Sequence, residues 1–247
     1  MASVSATMDK LFPYLVFWSL GLLAFAAEFL FPSRRVPYRS VFLRDLAALV
    51  AYNVSFALVV PFTDRIPIPN YVPVELSGMP VVYRLILFYI VEDFGLYWVH
   101  RLMHTKHAWR THKWHHYPTY MYWLAGIRTS IPHIVFFNFT FVAARPILVD
   151  VPGWAFQFIM IEHIFRNNWM HMNVSWKSTC LEWLIVTPRY HHIHHSSDPM
   201  HYRSNLGSLL TVWDRMFGTY LKPERVSRKL DFGIGERVNP VRLVLGF

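Results

Sequence analysis

The stretch TPRYHHIHHSSDP, residues 187–199, sets four histidines, His191, His192, His194 and His195, within five positions. An imidazole is awkward to bury because both ring nitrogens want partners, so four together need a common purpose. The chain has 14 histidines, and none lies in residues 1–99 or after His201. Six fall in residues 100–116 and five in 191–201, with His133, His163 and His171 between them. HRLMH sets His100 and His104 at i and i+4, on one face of a helix. HKWHH sets His112, His115 and His116 at i, i+3 and i+4, and HHIHH repeats that spacing with His191, His194 and His195. Each motif aims two or three imidazoles at one point, so these eight residues are expected to ligate metal, and three such motifs can surround two ions. His107, His133 and His201 share no such spacing and read as ordinary core or loop residues.

The surrounding chain is apolar. Of its 247 residues 54% are hydrophobic and only 16% charged, against roughly 25% charged in ordinary soluble domains. That balance predicts a membrane protein. The net charge of +9 comes from 24 Lys and Arg against 15 acids. The excess falls in loops between apolar runs, which suits anionic lipid headgroups rather than nucleic acid. A single cysteine, Cys180, excludes an internal disulfide framework and a cysteine-based metal site. It is expected to be a small buried apolar residue.

The apolar runs predict an all-α membrane bundle of about four spans within one domain, 1–247. Residues 11–31 are long enough to cross a bilayer, and the weak positive charge before them argues for a span rather than a cleaved signal. Residues 45–62 and 81–99 make two more. A fourth region, about 131–165, is interrupted by RPILVDVPG (145–153), where Pro146, Pro152 and Gly153 predict a hairpin of two helices. Arg34, Arg35, Arg39 and Arg44 crowd the first loop, whereas 63–80 holds only Arg65. The positive-inside rule then puts the first loop and the histidine motifs on the cytoplasmic side, as a helical cap. Trp98, Trp114, Trp123, Trp169 and Trp176 are read as an interfacial belt rather than a lipid tunnel. The basic stretch from about 222, with KPERVSRK, is expected at the headgroups.

The ordered set H-x-x-x-H, H-x-x-H-H, H-x-x-H-H resembles the fatty acid hydroxylase / sterol desaturase superfamily of integral membrane di-iron oxygenases. The resemblance runs through residues 85–220. Trp109 before HKWHH, WMHMNV (169–174), TPRYHHIHH with His192 where Arg is usual, and SNLGSLLTVWDRMFGTY (204–220) all resemble its blocks. GIRTS (126–130) departs from the R-x-H-P of the sterol enzymes and is closer to the alkylglycerol monooxygenase branch. WMHMNV adds His171 as a ninth ligand. His163, eight residues earlier and on the same side of a continuing helix, is a possible tenth.

The resemblance implies two iron ions, with zinc able to occupy the site in purified samples, and an O2-dependent hydroxylation or desaturation of a sterol, fatty acyl, ether-lipid or carotenoid C–H bond. An almost all-imidazole shell suits iron and differs from the Glu-rich shell of soluble di-iron bundles. Glu92, Asp93, Glu162, Glu182, Asp198 and Asp214 then read either as partners orienting the imidazoles or as structural ion pairs. GIG (233–235) completes no dinucleotide fingerprint, so electrons are expected from a separate donor protein or a reduced pterin. The alternative reading is a metal-binding membrane protein without oxygenase chemistry, a zinc transporter or sensor. A transporter should hold its ligands inside the spans near the midplane, and these motifs follow the spans.

The predicted topology is open to test by labelling of Ser77→Cys and Ser197→Cys, each in a background lacking Cys180. The two positions are expected to react from opposite membrane faces, and reaction from the same face would overturn the span count.

Overall fold

The computed structural model describes residues 2–67, 76, 78–177, 179–226 and 229–247, with side chains from Leu11 onward. Ser77 and part of KPERVSRK lie outside the described residues. The fold is helical, and the described residues form only three isolated bridges, Pro32–Val174, Ile185–Leu210 and Ser196–Phe232. Five long helices carry it: α1 (Ala2–Leu30), α2 (Tyr38–Thr63), α3 (Val81–Met103), α5 (Ile131–Ala144) and α6 (Gly153–His171). Four short ones, α4 (Trp109–His112), α7 (Pro188–His194), α8 (Val212–Met216) and α9 (Pro240–Leu245), belong to the segments that join or follow them.

Three stretches are long and apolar enough to cross a membrane, Leu11–Leu30, Tyr38–Thr63 and Ile131–Leu148, and they make this an integral membrane protein. Their outward faces, with Leu22, Leu23, Phe29, Val54, Leu58 and Phe139, are exposed, as lipid contact requires. The sequence placed a further span at 81–99. Its helix α3 has the length, about 34 Å at 1.5 Å per residue, but carries Arg84, Glu92 and Asp93, all buried. The Pro/Gly-rich break does divide the fourth apolar region. α5 ends before a 3-10 turn at Arg145–Leu148, Asp150 takes a positive φ of 56°, and Pro152 precedes α6.

Helix ends sort into two layers. At one end Arg145 pairs with Asp64 after α2, Asn138 meets Thr63, and Arg84 near the start of α3 donates to the carbonyls of Ile147 and Val149. At the other end lie the C-terminus of α1, the N-terminus of α2, the C-termini of α3 and α6 and the N-terminus of α5. Buried carboxylates tie this layer together. Glu28 of α1 accepts from the backbone N–H of Trp123 (2.7 Å) and Asn173 (2.9 Å) and from Tyr38 Oη. Asp45 of α2 accepts from Tyr120, Tyr122 and Arg128 at 2.7–2.9 Å.

Several sequence expectations change here. Trp114 and Trp123 are buried core residues, not part of a belt. Trp123 lies against Gly21, where a Cβ would overlap its ring, and packs beside Phe17 and Trp18. Cys180 is exposed, because it sits in the turn leading into the 3-10 segment Leu181–Trp183. The C-terminal stretch does not simply lie at the surface. Asn239 caps α9, and Leu243 is buried in the same hydrophobic core as Trp114, Ala125 and Ile127.

Asp45→Ala would leave the Arg128 guanidinium buried without its anion. Such losses cost about 3–5 kcal/mol. A thermal unfolding series in detergent is expected to show a lowered midpoint for this variant, and an unchanged midpoint would remove the pair from the structural account.

Candidate metal centre

The helix ends described above deliver the histidines. His100 lies in the last turn of α3 and His104 is its C-cap. His112 closes α4, with His115 and His116 in the turn beyond it. His171 is the last residue of α6. α7 begins where Thr187 Oγ1 accepts from the Tyr190 N–H and Pro188 fixes the first turn, so His191, His194 and the C-cap His195 share a short rigid helix.

All nine are 8% exposed or less. They form two groups, His100, His104, His112, His116 and His194 in one and His115, His171, His191 and His195 in the other, with donor atoms in each lying within 4.8 Å of one another. Each H-x-x-H-H motif divides in the same way. Its i, i+4 pair enters one group and its i+3 member crosses to the other: His112 and His116 against His115, His191 and His195 against His194. The two motifs are thereby interleaved, and neither group can form without both.

The ring nitrogens face one another. In the five-histidine group His100 Nε2 is 3.0 Å from His112 Nε2, and His116 Nε2 is 3.0 Å from His194 Nε2. In the four-histidine group His171 Nε2 lies 3.3 Å from His115 Nε2 and 3.2 Å from His191 Nε2, which is 2.9 Å from His195 Nε2. Protein carbonyls decide several tautomers. The Nδ1 atoms of His100, His171 and His194 face Leu206 O, Asn167 O and Ser204 O at 2.8, 2.7 and 3.2 Å. A carbonyl only accepts, so these three rings carry their proton on Nδ1 and leave Nε2 as a bare lone pair. His171 Nε2 then stands beside two other ring nitrogens with no proton of its own to give. His104 Nε2 is buried with no hydrogen-bond partner among the described residues.

A cation shared by each group would fit nitrogens at these separations. Imidazole ligands at about 2.0–2.1 Å from one ion stand roughly 3.0–3.4 Å apart. Burial also holds His104, His112, His115, His116, His191, His194 and His195 well below the usual histidine range, with charge repulsion from neighbouring rings adding to the effect. The rings are therefore neutral near pH 7, the form that ligates metal.

The loop after residue 203 supplies two of the three orienting carbonyls, those of Ser204 and Leu206, which sequence reasoning missed. Among the described residues, the hydrogen bonds and ion pairs of Glu92, Asp93, Glu162, Asp198 and Asp214 go to groups other than the nine rings. Asp214 instead accepts from the N–H groups of Leu206 and Gly207, both at 2.7 Å, and from Tyr190 Oη and Thr219 Oγ1. Asp93 accepts from Leu209 N, Leu210 N and Trp213 Nε1 at 2.8–2.9 Å. These two residues hold the loop whose carbonyls hold His100 and His194. Glu182 pairs with Arg189, and Asp198 turns back to Met200 N. His163, the possible tenth ligand, is outside both groups. It bonds Glu92 at 3.1 Å, beside Arg166 and Glu162. His192 links Arg34 Nη1, which donates to its Nδ1, to the His171 carbonyl, which its Nε2 faces. His107 is exposed, and His201 bonds Ser196 Oγ.

A further missed residue is Gly126. A Cβ there would overlap the His171 imidazole, so GIRTS supplies the space that ring occupies.

A model of the fatty acid hydroxylase family matches residues 85–219, the segment that contains all nine histidines. The chain belongs to the fatty acid hydroxylase family. It is 29% identical to alkylglycerol monooxygenase of Xenopus tropicalis over 62% of this chain and 33% of that protein. To ornithine lipid hydroxylase OlsE of Rhizobium tropici it is 32% identical over 64% of this chain and 48% of that one. Delta(7)-sterol 5(6)-desaturase erg31 of Schizosaccharomyces pombe is 26% identical over 95% of this chain and 77% of its own length. The chain thus spans between a third and a half of the first two relatives. No solved structure matches it.

Gly126→Ala is expected to push the His171 ring out of the four-histidine group, at an overpacking cost of about 1–3 kcal/mol. Metal content and thermal midpoint, measured on the same preparation, should both fall. Parent values for both would show that the ring does not depend on this space.

Proposed function

We propose that the protein is an O2-dependent membrane lipid hydroxylase or desaturase in which the nine histidines hold two iron ions. The observation that carries this reading is the convergence of nine buried imidazoles into two interleaved groups, with His100, His171 and His194 presenting a bare Nε2. His100, His104, His112, His116 and His194 would hold one iron, and His115, His171, His191 and His195 the other. Together such a pair supplies dioxygen activation strong enough to break an unactivated C–H bond.

The chain's own residues do the rest. The carbonyls of Leu206, Asn167 and Ser204 keep three rings in the ligating tautomer. Phe137 of α5 packs beside His133 and His100 (ring centroids 4.4 and 6.4 Å), and Trp109 lies 5.3 Å from both His104 and His116. These aromatics keep water from the groups and give an apolar surface to an alkyl chain. The site lies at the helix-end layer rather than at mid-helix, which favours the oxygenase over a transporter.

The names of the relatives describe action on an alkylglycerol, an ornithine lipid and a sterol. A lipid drawn from the bilayer is the common chemistry, and sterol, fatty acyl, ether-lipid and carotenoid substrates all fit it. Electrons come from a separate donor protein or a reduced pterin. The Arg34–Arg44 loop shares the histidine layer, which supports a cytoplasmic site.

Protein from iron-fed cells is expected to hold two irons per chain, and its membranes to form an oxygenated or desaturated lipid that untargeted lipidomics identifies. His194→Ala opens one position in the five-histidine group and should abolish turnover per folded chain. One metal or none in the parent, or near-normal turnover by His194→Ala, would sink the proposal.

A further inference from the structure

His133 lies outside the repeated spacing, yet it is buried beside the metal centre. It occupies the first turn of α5, where its N–H bonds Ser130 Oγ, and Ser130 in turn donates to the Thr111 carbonyl just before His112. Its ring centroid is 4.7 Å from that of His112 and 5.6 Å from that of His115, one member of each group. Its Nδ1 is 3.3 Å from His112 Nδ1.

His112 poses a proton question. Its Nε2 faces His100 Nε2 at 3.0 Å, and the Leu206 carbonyl already makes the latter a bare lone pair. Two arrangements satisfy the geometry. If His112 carried its proton on Nε2, it would donate to His100, and neither nitrogen could ligate the same ion. If it carries the proton on Nδ1, both Nε2 atoms are bare and can share an ion, but the Nδ1–H then needs a buried acceptor. Unlike His100, His171 and His194, His112 has no carbonyl there among the described residues. The atom within reach is His133 Nδ1.

We propose that His133 is the positioning residue of His112. Its Nδ1 accepts the His112 Nδ1–H and thereby fixes the tautomer that turns Nε2 into the five-histidine group. This rests on reading that group as a metal site. The residue also joins a membrane-crossing helix to the centre, since Ser130 and His133 grip α4 from one turn of α5.

Three proteins separate the possibilities: the parent, His133→Phe, which fills the space without an acceptor, and His133→Asn, whose amide oxygen can accept. Metal affinity is read by competition with a chelator, and coordination by the visible absorption of the cobalt(II)-loaded protein. The Phe variant is expected to bind one of its two ions about 10–100-fold more weakly, the usual scale for losing an outer partner of a ligating histidine, with changed cobalt bands. The Asn variant should recover most of the affinity and the parent spectrum, which a merely structural role would not produce. Should the Phe variant misfold, His133→Ala gives the same comparison with a cavity in place of a ring. Parent affinity in the acceptor-free variant, or no recovery by Asn, overturns the inference alone. Absence of metal from the parent overturns the reading of the site, and this inference with it.

Discussion

Nine buried imidazoles cluster with ring nitrogens facing one another at about 3 Å, and the rest of this structure is arranged around that constraint. Burial removes protonation as an escape, because charging any one ring inside the cluster is costly. Backbone carbonyls remove a second escape by fixing protons on the outer nitrogens of His100, His171 and His194. Two interleaved groups of five and four imidazoles result, assembled from the ends of α3, α4, α6 and α7 and the turn after α4.

Such a centre has to be held from outside, and the membrane helices do so with single buried charges. Glu28 from α1 and Asp45 from α2 grip the segment 120–128 that carries Gly126 against His171, and Glu28 also holds the Asn173 N–H just after it. Asp93 from α3 and Asp214 grip the loop that carries the Ser204 and Leu206 carbonyls. Each carboxylate is one step removed from the rings: Glu28, Asp93 and Asp214 hold backbone N–H groups, and Asp45 holds the side chains of Tyr120, Tyr122 and Arg128. The cost of burying these carboxylates is offset by three or four hydrogen bonds apiece.

The histidine set was legible in the sequence because helical spacing writes ligands down as short-range patterns, and the hairpin because Pro and Gly punctuate an apolar run. The partition of each motif was not, since which group the i+3 member, His115 or His194, joins depends on the facing motif, about 80 residues away in the chain. The carboxylates were recognised as important residues but not by what they hold, because Asp93 reaches Leu209 across 116 positions of chain. α3 read as a plain span because its charges are few, and only their burial reveals a helix that mixes membrane length with internal polar contacts. Trp123 and Cys180 were misplaced for a related reason: residue type predicts average burial, whereas Gly21 and a tight turn decided these two.

The most direct test of the central claim is an experimental structure of the iron-loaded protein, with ions located by anomalous scattering at the iron edge. The account predicts two ions, one among the Nε2 atoms of His100, His104, His112, His116 and His194, the other among those of His115, His171, His191 and His195. A single ion, or ions bound elsewhere while these nitrogens stay protonated and hydrogen-bonded to one another, would contradict it.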